Sequence, residues 1–268
     1  MQVDIIRNID VWSPEIIILL LVSGFLIGVI NTLAGSGTAI GYAVFMSLGL
    51  PPAWANGTVR IGVIPQTFAA ALNYYKHKLL DLRSAAYIAV PITIGSVLGA
   101  QIAVSINQEI FKKVIGIAML IILFFIIFKP EKFLKGKTSK TPGKHRFWHI
   151  ILYFLIGIYG GFIHVGVGIF LLIALVAVSG YDLVKANSLK VFVVFIYTPF
   201  ALAVFMINGD IHYAMGLIAA VGNTLGGITA SKFAIKHGAE PLRWFLMIVI
   251  IGFTGYLFGV FQYIFNLF

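Results

Sequence analysis

Two basic side chains stand inside long apolar runs, Arg60 in the run from Trp54 to Tyr75 and Lys190 in the run from Val184 to Ile207. Each lies about six residues, ~9 Å along a helix, from the start of its run. A cation at such depth in a bilayer costs at least ~2.5 kcal/mol, so it marks a functional site unless its long stem lets the charge snorkel to the interface. The acidic residues all fall in connections, Asp4, Asp10, Glu15, Glu109 and Asp210 toward one side and Asp81, Glu131, Asp182 and Glu240 toward the other. With no carboxylate at depth to neutralise them, Arg60 and Lys190 have an anionic substrate as their natural partner.

Two glycine-broken stretches accompany the cations, Leu33-Ala34-Gly35-Ser36-Gly37-Thr38 and His164-Val165-Gly166-Val167-Gly168-Ile169. A helix that starts at depth presents unpaired N–H groups and about half a positive charge, which suits an anion. Glycine at the break lets backbone approach a ligand and permits positive φ. Small residues four apart also serve helix packing. Packing is the preferred role for Gly24 with Gly28, Gly95 with Gly99, Gly222 with Gly226 and Gly255 with Gly259. A site is preferred for the two G-x-G breaks, which are duplicated and interrupt short helices.

The candidate substrate-binding residues are therefore Asn31, Gly35, Ser36, Gly37, Thr38, Asn56, Arg60, Gln66, His164, Gly166, Gly168, Asn187, Lys190 and Tyr197. Asn56 and Asn187 stand out because they recur at one repeat position, at the starts of the helices that carry Arg60 and Lys190. Thr32, Thr58, Asn73, Ser188, Thr198, Asn223 and Thr224 are expected mostly to hydrogen-bond between helices. His164 is the one histidine expected at depth, where it either couples a proton, binds substrate or makes an interhelical hydrogen bond. One histidine makes no metal site, and no nucleophile triad or carboxylate pair can be assembled within the membrane. The chain reads as a non-enzyme without cofactors.

The apolar background decides the class of protein. With 60% hydrophobic and 10% charged residues and a mean hydropathy of +1.01, the chain has too little polar surface for a soluble globule, whereas a bilayer would solvate it. The net charge of +10 does not point to nucleic acid, because the basic residues lie between apolar runs rather than among aromatics on one face. The lack of cysteine rules out disulfides and thiol chemistry. Asp4, Asp10 and Glu15 surround the lone Arg7 before the first run, so no cleaved signal peptide is read.

A chain-wide pattern places these elements in two halves. Gly35, Gly37, Gly49, Ala55, Asn56, Thr67, Thr93 and Gly95 each precede an identical residue by 131 positions, namely Gly166, Gly168, Gly180, Ala186, Asn187, Thr198, Thr224 and Gly226. One offset without a gap argues for internal duplication. Ile16 to about Ile30 and Ala39 to Leu48 are each too short for the ~30 Å core, so they read as half-length or strongly tilted helices meeting at the first break. Spanning runs follow at Trp54–Tyr75, Ala85–Ile106 and Ile110–Phe128. After a polar segment from Lys129 to Phe147, the order repeats with Ile150 to about Ile163, Phe170–Val178 and spans near Val184–Ile207, Tyr213–Phe233 and Leu242–Phe265.

Sidedness follows from the positive charges. The central segment carries Lys129, Lys132, Lys135, Lys137, Lys140, Lys144 and Arg146 against Glu131 alone, and is expected in the cytoplasm. Counting crossings outward places fourteen of the 19 Lys and Arg residues inside, with both termini periplasmic. A hairpin begins and ends on one side, so three further spans make each half odd and invert the second against the first. The expected organisation is a first repeat over 1–128, a basic cytoplasmic linker over 129–147 and an inverted second repeat over 148–268. The fold class is an all-α polytopic membrane protein of two inverted repeats, each a broken helical hairpin, fully crossing or re-entrant, plus three spanning helices.

The turn Gly49-Leu50-Pro51-Pro52-Ala53-Trp54-Ala55-Asn56 and the segment Lys185-Ala186-Asn187-Ser188-Leu189-Lys190, in order after a Gly-broken first helix, resemble the TauE/SafE sulfite exporter family of permeases. The resemblance covers Ile16 to about Leu257, although the first break has fewer glycines than is usual and the second carries His164 and Val167. It implies transport of sulfite or sulfur-containing organic anions across the bacterial inner membrane. The expected function is a secondary transporter for small anions working by alternating access around a midplane site, with a proton or a sodium ion as the candidate coupling ion and a homodimer as the candidate assembly. Its expected partners are the substrate anion and the lipid bilayer, not nucleic acid. An anion channel, or a membrane-embedded enzyme or assembly subunit, is the alternative.

Overall fold

Pro14 at the first helical position, where a missing N–H costs nothing, opens a helix that runs as far as the first glycine break. The computed structural model describes residues 10–111, 113–117 and 147–238. Among them are α1 (Pro14–Leu33), α2 (Thr38–Ser47), α3 (Pro52–Lys76), α4 (Leu82–Ser105), α5 (Phe147–Phe162), α6 (Val167–Ile173), α7 (Leu183–Ile207) and α8 (Tyr213–His237), and no strand. The last turns after α6 widen into a π-helix over Ala174–Val178. Residues 108–111 and 113–117 are also helical. Residues 118–128 of the span expected at Ile110–Phe128, residues 129–146 of the central basic segment, the span expected near Leu242–Phe265 and the pair Gly255 with Gly259 lie outside the described residues.

Among the described residues, four helices, α1, α4, α7 and α8, are long and apolar enough to cross a membrane. α3 is as long, at 25 residues, but carries the buried polar side chains Asn56, Arg60 and Gln66. The first helix corrects an expectation. At 20 residues α1 is of full spanning length, because the polar pair that looked like its end is satisfied inside it: Gln66 donates from Nε2 to Thr32 Oγ1 at 3.0 Å and accepts from Asn31 Nδ2 at 3.4 Å. The second helix of each break is short, 10 residues in α2 and seven in α6 before the π turn.

The backbone carries the 131-residue offset more sharply than the side chains do. The bounds of α3 and α7 differ by that number at both ends. Left-handed residues recur on it as Gly35 and Gly166, Gly49 and Gly180, and Lys78 and Gly209. So do the helix caps, since Asp81 before α4 matches His212 before α8. The Asp81 carboxylate accepts from Ser84 Oγ and from the amides of Arg83 and Ser84, and these bonds, Ser84 first, hold it below the usual carboxylate range. His212 Nδ1 accepts from the Met215 amide at 3.4 Å.

Packing follows the same exchange. α1 lies along α8 and α5 along α4, while α3 and α7 each pack on both α4 or α8 of the opposite half and on one another. The glycines read as packing residues occupy these seams. A Cβ at Gly24 or Gly28 would overlap the Ala219 or Asn223 carbonyl of α8, and one at Gly95 or Gly99 would overlap the Phe154 or Ile158 carbonyl of α5. Outward faces are apolar, as at Ile18, Val22, Val90, Ile94, Leu217, Val221 and Leu225, whereas Asn31, Asn56, Arg60, Gln66, Asn187 and Lys190 are buried. This inversion of the water-soluble pattern is what lipid as solvent requires.

Candidate functional site

A helix ends with carbonyls that have no intrahelical donor, and in the interior of a membrane protein each must find one. α5 ends at Phe162, and its last carbonyls are collected by side chains of the first half. Arg60 Nη2 donates to Gly160 O at 3.1 Å and to Gly161 O at 2.7 Å. Asn56 Nδ2 donates to Phe162 O at 2.7 Å, and Tyr42 Oη to Ile163 O at 2.6 Å. Arg60 is itself held by Asn56 Oδ1, at 3.2 Å from Nε and 2.9 Å from Nη2, and lies over the Phe205 ring at 5.0 Å. The cation sits on the negative end of a helix dipole.

The end of α1 is served from the second half. Lys190 Nζ donates to Thr32 O at 2.8 Å and Asn31 O at 3.2 Å, and the turn amides of Ala34 and Gly35 close on Ile30 O. Both cations are buried, Arg60 with 0% and Lys190 with 1% of its surface exposed, which excludes snorkelling. Each half thus lends its cation to the broken helix of the other. The two ends differ in completeness, because α5 has Arg60, Asn56 and Tyr42 where α1 has Lys190 alone beyond the backbone turn.

The breaks meet each other between these ends. A Cβ on Gly35 would overlap Gly168 Cα, and one on Gly168 would overlap Gly35 Cα. Glycine is required here by close approach and, at Gly35 (φ +81°) and Gly166 (φ +70°), by conformation. Beside this contact lies a tight cavity lined by Asn31, Gly35, Thr67, His164, Gly168 and Lys190, with room for about one water molecule. His164, itself at φ +66°, presents Nδ1 to Arg60 Nη1 at 3.4 Å and to Tyr197 Oη at 3.1 Å. With its proton on Nε2, the ring can accept at Nδ1 from both the guanidinium and the Tyr197 hydroxyl.

Most of the residues predicted from the sequence converge. Asn31, Gly35, Gly168, His164 and Lys190 line the cavity, and Gln66 holds Asn31 and Thr32. Thr38 Oγ1 approaches His164 O at 3.5 Å, and Asn56, Arg60 and Tyr197 gather around the end of α5. Gly37 packs on α1, where a Cβ would overlap Ile27 O, and Ser36 is half-buried beside it. Asn187 is away from the cavity lining, donating to Tyr74 Oη at 2.7 Å, and its Oδ1 is buried without a partner. Tyr42, Thr67 and Phe205 were not among the expected site residues. The carbonyl ends themselves were a usable signal: two breaks at depth need donors, and two cations without carboxylates supply them.

Against this geometry, the sequence profile described as "Sulfite exporter TauE/SafE" matches residues 20–257. The chain belongs to the TauE/SafE sulfite exporter family. A "Probable membrane transporter protein" of Haemophilus influenzae is 27% identical over 239 residues, covering 89% of this chain and 92% of that one. "Probable membrane transporter protein ORF9" of Sinorhizobium sp is 28% identical over 233 residues, covering 87% and 88%. "Probable membrane transporter protein YunE" of Bacillus subtilis is 23% identical over 257 residues, covering 87% and 94%. No solved structure matches the chain. Membership makes this a membrane protein of a transporter family, its described residues helical without strand, with the TauE/SafE match spanning both breaks and both buried cations.

Proposed function

We propose that the protein is a secondary transporter for small anions, sulfite or sulfonates in the first place, working by alternating access around the cavity at Lys190. Residues 1–128 and 148–268 form two inverted halves, joined by a cytoplasmic linker over 129–147, in the bacterial inner membrane. Support comes chiefly from the crossed placement of the two cations at the ends of broken helices. In this arrangement neither half is complete without the other, and a rocking of one against the other would change what surrounds Lys190. Arg60 is engaged by five acceptor contacts and a ring, so it serves as the fixed structural cation. Lys190 gives two of its three ammonium hydrogens to carbonyls and faces the cavity, so it is the cation that meets substrate. Asn31, Thr67 and His164 provide polar contacts beside it.

The closed contact of Gly35 on Gly168 fits an occluded carrier state rather than an open pore. Sulfite and small sulfonates need charge-assisted donors when stripped of water, and Lys190 supplies one once movement of the halves widens a cavity that in this closed state holds about one water molecule. Titration of the purified protein with sulfite, methanesulfonate and acetate tests this, with saturable binding of at least one sulfur oxyanion expected and no binding of any of the three as the contrary result. The inverted arrangement carries its own test. A reporter fused after Thr138 should read cytoplasmic and one fused after Phe268 periplasmic. A cytoplasmic reading at both would require an even number of crossings in the second half and remove the inverted repeat.

A further inference from the structure

An apolar groove lies on the surface of the bundle, lined by none of the residues of the Lys190 cavity. Phe68, Ala71, Leu72 and Tyr75 of α3, Phe192 and Phe195 of α7, Leu80 of the α3–α4 turn and Leu82 at the start of α4 line this groove of about 210 Å³. Its rims at Phe68, Leu72, Tyr75 and Leu82 are exposed. The groove ends where α3 ends, and there the chain places Lys76, Lys78 and Arg83, all exposed. Lys185 joins them from α7, on the same helical face as Phe192 seven residues on. Ser188 between them ties α7 to this turn by donating to Leu79 O at 2.8 Å.

The turn has a built-in comparison in the other half. Both α3 and α7 finish in the same motif, with Lys78 N on Tyr75 O and Leu79 N on Tyr74 O in one, and Gly209 N on Met206 O and Asp210 N on Phe205 O in the other. The residue at the left-handed position is glycine in the second half, at φ +75°, and lysine in the first, at φ +57°. Glycine is the ordinary occupant of such a position, and the lysine that stands there in the first half adds a cation to the turn. The second-half turn, Asn208 to His212, has no Lys or Arg at all. The acidic groups at the mouth are already engaged, Asp81 as the cap of α4 and Asp182 as the cap of α7 with Lys185 at 3.9 Å.

From this we infer that the groove between α3 and α7 binds an anionic phospholipid, with an acyl chain along Phe68, Leu72 and Phe195 and the phosphate at Lys76, Lys78 and Arg83. An acyl chain gains little by leaving other lipid for a groove, so selectivity must come from the headgroup. A bias of positive charge toward the cytoplasm would also put cations here, but it asks neither for an apolar groove beneath them nor for a lysine in a glycine position.

The test uses the purified full-length protein in detergent and follows its thermal unfolding on adding phosphatidylglycerol, phosphatidylcholine or glycerol 3-phosphate. Phosphatidylglycerol should raise the unfolding temperature by several degrees at concentrations where the other two leave it unchanged. Combining Lys76→Gln, Lys78→Gly and Arg83→Gln should raise the half-saturating phosphatidylglycerol concentration at least tenfold, and Leu72→Trp, which fills the groove and spares the charges, should do the same. Lys78→Gly alone relaxes a left-handed residue, so it should fold as well as the parent while needing about threefold more lipid. Equal responses to both phospholipids would overturn the assignment, as would full response in the charge variants. A response to glycerol 3-phosphate alone would leave an anion site without a lipid. Formation of a dimer through Phe68 and Leu72 that excludes phospholipid would give the groove a different occupant and also defeat the proposal.

Discussion

Lys190→Gln should weaken binding of the transported anion about ten- to a hundredfold. A charge-assisted hydrogen bond to a desolvated anion contributes about 1.5–3 kcal/mol, and each 1.4 kcal/mol is a factor of about ten in affinity. Glutamine keeps an N–H donor, one bond short of Lys190 Nζ, for the carbonyls of Asn31 and Thr32 that Lys190 now serves, and insertion and folding of the variant are checked alongside its binding. The measurement is the sulfite dissociation constant of parent and variant, with Lys135→Gln combined with Lys140→Gln as the control from the central basic segment. If the control lost affinity and Lys190→Gln kept it, the buried lysine would be no substrate ligand and its only role would be to cap α1.

Arg60→Gln should act on folding instead. It removes the donors to Gly160 O and Gly161 O and the hold on Asn56 Oδ1, and the shorter amide cannot replace all three. Stranding several buried acceptors and a helix end costs about 3 kcal/mol or more. For a chain of this size that is on the order of 6–12 °C in unfolding temperature. Unfolding of the purified variant within a degree of the parent would mean that the end of α5 has other donors. The contrast between the two variants is the point, because they occupy nearly equivalent places in the two halves and are assigned different work.

Much of the architecture was legible because it depends on local chemistry. Glycines spaced by four marked the α1–α8 and α4–α5 seams. The G-x-G breaks lie where α1 and α5 end, the constant offset recurs in the bounds of α3 and α7, and both cations read at depth, Arg60 and Lys190, are buried. What failed was the length of α1. Asn31-Thr32 looked like a stop, yet the pair is paired with Gln66 on another helix, a contact that no local window reveals. The direct partners of the cations were also missed. Composition suggested only an anion, whereas the nearest negative charge is the partial charge of carbonyls at helix ends that belong to the opposite half.

Tyr42 and Thr67 escaped notice for the same reason. A tyrosine in a short apolar helix carries no charge signal, and its hydroxyl matters because Ile163, 121 positions away, brings an unserved carbonyl to it. Thr67 is indistinguishable in sequence from threonines that bond their own helix, which it also does through Val63 O. Its place on the cavity wall depends on where α7 and the second break lie. Asn187 shows the reverse: the repeat made it a counterpart of Asn56, but Lys190 turns to α1 rather than back to it, and its amide is used on Tyr74.

Counterflow in proteoliposomes tests the central claim most directly. Vesicles loaded with unlabelled sulfite and diluted into labelled sulfite should accumulate the label transiently above equilibrium, with an initial rate that saturates, because a carrier that exposes Lys190 to one side at a time must exchange. Currents that rise linearly with voltage, without saturation or transient accumulation, would contradict alternating access and describe a pore.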